Sequence, residues 1–153
     1  MKKLIQNIRD WATAKGIDTP ECIPSQTHKV IEEIGELSQS ILKQDDDGIA
    51  DAIGDIAVTL IILCQQHGIN VRYLPAAHEP TGESIQYHQA QIVNIIVRGH
   101  VEELHTAFEH LTAISQTLGY DLPICLAEVW EVIKDRQGKT VNGTFIKDDE
   151  KEE

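Results

Sequence analysis

The chain has 153 residues, 41% hydrophobic and 25% charged, a balance that suits one packed domain and excludes collagen-like or wholly disordered classes. Its 13 Lys and Arg stand against 25 Asp and Glu, for a formal net charge of -12. That field repels polyanions, so neither duplex nucleic acid nor an anionic membrane is an expected partner, while divalent cations are favoured. Cys22, Cys64 and Cys125 are widely spaced without a C-x-x-C, which gives neither a disulfide framework nor a zinc knuckle and suits reducing, cytoplasmic conditions.

The N-terminal stretch MKKLIQNIRDW lacks the apolar region of a signal peptide. The longest apolar run, Ile56 to Cys64, makes only about 13 Å of helix, too short to span a bilayer. Apolar residues recur with helical period almost throughout, and about six helices are predicted. The first covers about residues 3–15 and stops at Gly16. Pro20 and Pro24 mark a connection. A second helix, over about 26–44, starts at Ser25 or Thr27 and carries the apolar stripe Val30, Ile34, Leu37 and Ile41. Asp45, Asp46, Asp47 and Gly48 form a turn whose acids also suit the start of the next helix.

The third helix spans about 49–67 and stops at Gly68. Residues 72–84, with Pro75, Pro80 and Gly82, read as an internal loop. Further helices follow over about 85–97, 100–118 and 122–136, then a Gly-rich extended stretch over 137–147. The expected architecture is all-α, an antiparallel helical bundle forming one domain over 1–147, with an acidic, frayed tail at 148–153. The ends of the third and fifth helices, Cys64 to Asn70 and Ile114 to Asp121, resemble each other. They are either the trace of a duplicated helix hairpin or two similar helix ends. The third helix is apolar around most of its circumference, which predicts self-association as a homodimer or higher oligomer unless a second hairpin covers it internally.

Chemistry concentrates in five acids. Glu32, Glu33 and Glu36 share one face of the second helix, although like charges at that spacing repel. From Ile49 to Cys64 the only charged residues are Asp51 and Asp55, in line with Val58 and Ile62 and so expected to face the core. A buried, unpaired carboxylate costs several kcal/mol, roughly, unless it is protonated, ion-paired or metal-bound. Across the turn at 45–48, Glu36 and Asp55 lie at similar distances and should face each other, with Glu33 converging and Asp51 nearer the turn. An all-oxygen donor set suits Mg²⁺ rather than zinc or copper. Each acid taken alone could be a solvated helix residue.

The runs Glu32-Glu-Ile-Gly-Glu-Leu37 and Asp51-Ala-Ile-Gly-Asp55 resemble those of the MazG-like members of the all-α nucleoside triphosphate pyrophosphohydrolases. The segments Ile133 to Lys139 and Val141 to Phe145 look like the end of phage and bacterial forms of that family. The likeness covers about residues 25–70 and 129–147. It implies hydrolysis of a nucleoside triphosphate between the α and β phosphorus, giving a monophosphate and pyrophosphate, with a role in nucleotide-pool control. The cofactor implied is Mg²⁺, with Mn²⁺ able to substitute. Glu33, Glu36 and Asp55 would be metal ligands, and Glu32 a further ligand or the base that orients the attacking water, which makes Glu32 and Glu33 the expected catalytic carboxylates. Many relatives carry an acid where this chain has Ala52, and Asp51 is the expected substitute.

Lys134, Arg136 and Lys139 form the densest basic cluster and are candidates for phosphate contact. Lys29 either contacts substrate or pairs with Glu33, and Asn142 contacts base or ribose or simply makes a turn. Trp11 is expected to pack the first helix. His100, His105 and His110 are too far apart around their helix to form one ligand face, and the histidines read as surface or capping residues. No G-x-x-x-x-G-K-S/T phosphate loop and no Ser-His-Asp arrangement occurs. The non-enzymatic alternative is a helical interaction or regulatory module with a structural metal site.

Overall fold

A computed structural model describes residues 1–77 and 82–148. Six α-helices, α1 (Lys2–Lys15), α2 (Ile23–Lys43), α3 (Asp46–Gln66), α4 (Ile85–Arg98), α5 (Leu104–Leu118) and α6 (Leu122–Ile133), precede a hairpin of β1 (Gly138–Val141) and β2 (Thr144–Lys147). Short 3₁₀ turns at Pro20–Cys22 and Val101–Glu103 lead into α2 and α5. Among the described residues no helix is long and apolar enough to cross a membrane. Of the expected tail, residues 149–153 lie outside the described part, as do residues 78–81 of the internal loop.

The axis of the molecule is α3, buried on nearly every side, with Ile53, Ile56, Leu60 and Ile61 sealed from solvent. It packs against α1, α2, α5 and α6. An all-round apolar helix needs a complete sheath, and here the chain supplies one: α2 lies beside α4 and α3 beside α5, so the α4–α5 hairpin closes against the α2–α3 hairpin. The argument for self-association drawn from α3 therefore lapses, because its cover is intramolecular. At Gly54, α3 and α6 approach so closely that a Cβ would sit 2.4 Å from Val129 Cγ2 and 2.5 Å from the Cys125 carbonyl oxygen.

Helix ends explain most boundaries. Asp45 accepts a bond from the Gly48 amide at 3.1 Å and caps α3. Ser84 caps α4 and Asp121 caps α6 in the same way. Helix α2 begins at Ile23, earlier than Ser25 or Thr27, because Pro24 occupies a first-turn position whose missing N–H has no intrahelical partner to lose. The likeness between the ends of α3 and α5 has a local cause. Ile69 N–H bonds to the Cys64 carbonyl and Tyr120 N–H to the Ser115 carbonyl, both at 2.8 Å, around Gly68 and Gly119 with positive φ. The ends of α1 and α2 close with the same pair of bonds, at Gly16–Ile17 and Gln44–Asp45. That shared termination is enough to account for the echo without requiring a duplicated hairpin.

The extended stretch is a β-hairpin, with Lys139 opposite Ile146 and Val141 opposite Thr144. Asn142 and Gly143 make its two-residue turn with φ of 51° and 80°, the conformation that Asn-Gly favours. Phe145 meets Trp11 edge to face at 5.7 Å, Thr140 Oγ1 donates to the Lys15 carbonyl at 2.5 Å, and Ser25 and Thr144 hydroxyls share a bond of 2.8 Å. These contacts strap the hairpin across the end of α1 and the start of α2.

Candidate functional site

Glu33 projects from α2 into the interface with α3 and is 6% exposed. One carboxylate oxygen lies 3.3 Å from Lys29 Nζ, and the other is buried without a hydrogen-bond partner. Burial raises its pKa against the opposing charge of Lys29, and Glu36 adds repulsion. Lys29 also holds Glu32 at 2.5 Å. Burial works to lower the Lys29 pKa, but the hydrogen bond to Glu32 and the charge of Glu33 outweigh it, and the ammonium is held above its usual range. Lys29 is thus the counter-ion of Glu32 and Glu33, the second of the two roles expected for it.

Asp55, partly buried on α3, is the most perturbed carboxyl of the cluster, pushed up to about 7. Burial is the largest cause; Glu33 and Asp51 add to it, Arg136 opposes it, and Glu36 contributes last. The four acids expected to gather do share one electrostatic neighbourhood. Their order differs from expectation, since Glu33 rather than Glu36 acts most strongly on Asp55. The reason is the turn: α2 runs to Lys43 and α3 starts at Asp46, so the reversal is centred between Gln44 and Asp45. Counting at about 1.5 Å per residue, Asp55 then comes level with Ile34, nearer to Glu33 than to Glu36.

Asp51 is exposed, not core-facing. Four residues advance a helix by about 400°, so Asp51 lies about 40° around α3 from Asp55, enough to leave it in solvent while its charge still reaches Asp55. Glu32 and Glu36 are exposed as well, and Ala52 is buried. Among the described residues no three His, Cys, Asp or Glu side chains stand arranged to hold one ion. The donor chemistry nonetheless fits a hard divalent cation: the acids offer oxygen alone, one Glu33 oxygen is buried and unpartnered, and Asp55 carries a repulsion that a cation would relieve.

The basic candidates separate. Arg136, just beyond α6, has its charge felt by Asp55. Lys134 is tied to Glu131 on its own helix turn. Lys139 is exposed on β1, and Asn142 occupies the hairpin turn. Trp11 packs as expected, against Phe145. The reading of the histidines as surface groups fails at His88, which is 4% exposed and meets His110 with Nδ1 to Nδ1 at 2.9 Å. The pair joins α4 to α5, and spacing along one helix cannot reveal it. The available signal was His88 standing four residues before Ile92 on the buried stripe of α4.

No family profile matches the chain, and no solved structure does. The chain is 36% identical over 70 residues to an uncharacterized 18.2 kDa protein in the rep-hol intergenic region of Haemophilus phage HP1 (strain HP1c1). That match covers 46% of this chain and 43% of the phage protein, so the chain spans less than half the length of the relative it matches.

Proposed function

We propose that the protein is a Mg²⁺-dependent nucleotide pyrophosphohydrolase, cleaving nucleoside triphosphates to monophosphate and pyrophosphate. The observation that carries the reading is the Asp55 carboxyl, raised to about 7 by burial and by the acids around it on the α2–α3 hairpin. A fold gains nothing structural from gathering Glu33, Glu36, Asp51 and Asp55 around one another, and strongly perturbed acids of this kind concentrate at functional sites. Glu33, Glu36 and Asp55 would hold the cation, with Asp51 at the rim. When bound, Mg²⁺ supplies charge to neutralise a polyphosphate and polarise its phosphoryl oxygens.

The chain's own residues supply the rest. Glu32 stands exposed beside Glu33, where a carboxylate can accept a proton from water or add a ligand oxygen. Lys29 pairs with both glutamates and is available to phosphate once a cation displaces it from Glu33. Arg136 brings a fixed positive charge to the Asp55 side of the cluster, where an anionic substrate arrives. Lys134, Lys139 and Asn142 remain outlying candidates for the substrate's ends.

The competing reading is a non-catalytic helical module with a structural metal site, and the ion pair of Lys29 with Glu33 is the observation in its favour, since it partly neutralises the cluster without any metal. A nucleotide panel at equal concentration, scored for monophosphate and pyrophosphate with Mg²⁺, with Mn²⁺ and with EDTA, decides between them. Pyrophosphate release that requires the divalent ion is expected; its absence across the panel would leave the module reading standing.

A further inference from the structure

We propose that a cleft at the far end of the bundle from the carboxylates binds a small, multiply charged oxyanion, with pyrophosphate-like oligophosphates as the class it fits best. The cleft has a volume of about 270 Å³ and is lined by Lys2, Gln6, Asn70, Val71 and Arg72. One wall is the start of α1, where Lys2 and Gln6 stand four residues apart on one face; the other is the strand of chain leaving α3. From Asp55 to Gln66 the axis of α3 already covers about 16 Å, and Asn70 lies beyond it. The cleft is therefore separate from the carboxylate cluster, and the inference does not rest on the proposed hydrolase activity.

Charge is the first argument. Acids outnumber bases by 25 to 13 in this chain, and Lys29 and Lys134 are each held by glutamates. Lys2 and Arg72, among the described residues, have no carboxylate within 4.0 Å, and both line this one cleft. The start of α1 strengthens the local positive potential, because its first turn has no acid and no side-chain cap and carries Lys2 and Lys3 instead.

Hydrogen bonding is the second. Arg9 Nη1 donates to Asn70 Oδ1 at 2.5 Å, which occupies the amide oxygen and leaves the Asn70 NH₂ as the group that can serve a ligand. Gln6 Nε2 donates to Asp10 at 2.8 Å, so that acid already has a donor of its own. A guanidinium, an ammonium and an amide NH₂ around one small volume form a donor set for an oxyanion, and Arg72 can engage two oxygens at once. A long polyanion would run out of the cleft into the field of a chain whose net charge is -12. A compact one stays within roughly a Debye length, about 8 Å at physiological salt, of the cations that attract it.

The test is titration calorimetry of the whole chain with pyrophosphate in EDTA, so that no divalent ion can recruit the carboxylate cluster. Saturable binding is expected, weakened tenfold or more by Arg72→Gln and by Lys2→Gln, weakened by added NaCl, and unchanged by Asp55→Asn. Both cleft residues are exposed, so the variants should keep the parent melting temperature, which is checked in parallel. Inorganic phosphate should bind more weakly than pyrophosphate. No saturable binding, binding lost in Asp55→Asn but kept in Arg72→Gln, or a single-stranded oligonucleotide binding through the same residues far more tightly than pyrophosphate would each overturn the proposal.

Discussion

Asp55 shows how one side chain links stability to function. Its folded pKa of about 7 exceeds the ordinary aspartate value of 3.8, so between those values the folded chain binds a proton that the unfolded chain has lost. Stability must then fall as pH rises through that window and level off above it, by an amount on the order of a few kcal/mol. Urea melts in EDTA at pH 5 and pH 8 should show the protein less stable at pH 8, and Asp55→Asn should remove most of the difference. The amide also removes charge from the proposed cation site, so Mg²⁺-dependent hydrolysis should drop by orders of magnitude while the metal-free protein melts no lower. A variant that melts much lower at pH 8 yet keeps its turnover would make Asp55 a structural acid and sink its assignment as a ligand. Lys29 offers the complementary test. Lys29→Gln strips Glu33 of its counter-ion, so the metal-free protein should lose stability and the gain in melting temperature on adding Mg²⁺ should increase. Equal gains in parent and variant would mean that Lys29 and the cation do not compete for Glu33.

At the level of elements, what the sequence revealed depended on how far each signal reached along the chain. Six helices were legible because each carries several turns of apolar period and ends on a residue with a physical reason to stop, such as Gly16 or Gly119. The hairpin was not resolved into strands, because four residues a side offer barely two alternations and its inner face packs on Trp11, distant in sequence; the Asn142-Gly143 pair between two β-prone runs was the usable sign. Glu33 and Asp55 could be found from their own neighbourhoods, whereas the exposure of Asp51 depended on how α3 is rotated and the Glu33–Asp55 pairing on where the turn closes. Arg136 could be named as basic, but nothing local said that its charge would fall on Asp55. Gly54 is the element-scale test. Its missing side chain lets α6 ride against α3 where a Cβ would overlap the Cys125 carbonyl oxygen and Val129. Backbone cannot step aside as a flexible side chain can, so Gly54→Ala should destabilise by about 1–3 kcal/mol despite the better helix propensity of alanine. Chemical denaturation measures it, and a stabilised variant would mean that the two helices are not held at this distance.

For the molecule as a whole, the question is what covers α3. A helix this apolar in isolation is a dimerisation element, and expecting a partner was reasonable while only α2 could be placed beside it. The fold answers with its own α4–α5 hairpin and with α1 and α6, leaving α3 exposed only at Asp46, Asp47 and Asp51 and half-buried at Gly48, Ala50, Asp55 and Gln65. The most exposed large hydrophobic residues lie elsewhere: Leu42 at the end of α2, Tyr73 in the segment after α3, Val97 on α4, and Ile124 and Val132 on the outer side of α6. Single exposed apolar residues are ordinary on a protein surface and do not by themselves make an interface. The high net negative charge further opposes close approach of two copies. Sedimentation at tens of micromolar should therefore find a monomer. Leu111→Asp on α5 should upset this result, since it puts a charge into the sealed contact between the hairpin and the rest of the core. The hairpin would then be levered off α3, and the variant should self-associate or precipitate through the surface so uncovered. A parent chain that sediments as a dimer would require an interface outside α3, and Ile124→Glu with Val132→Glu, exposed enough to leave the fold intact, should then dissociate it. If a dimer persists in that double variant, the outer face of α6 is not the contact, and the intramolecular sheath is not what decides the assembly state.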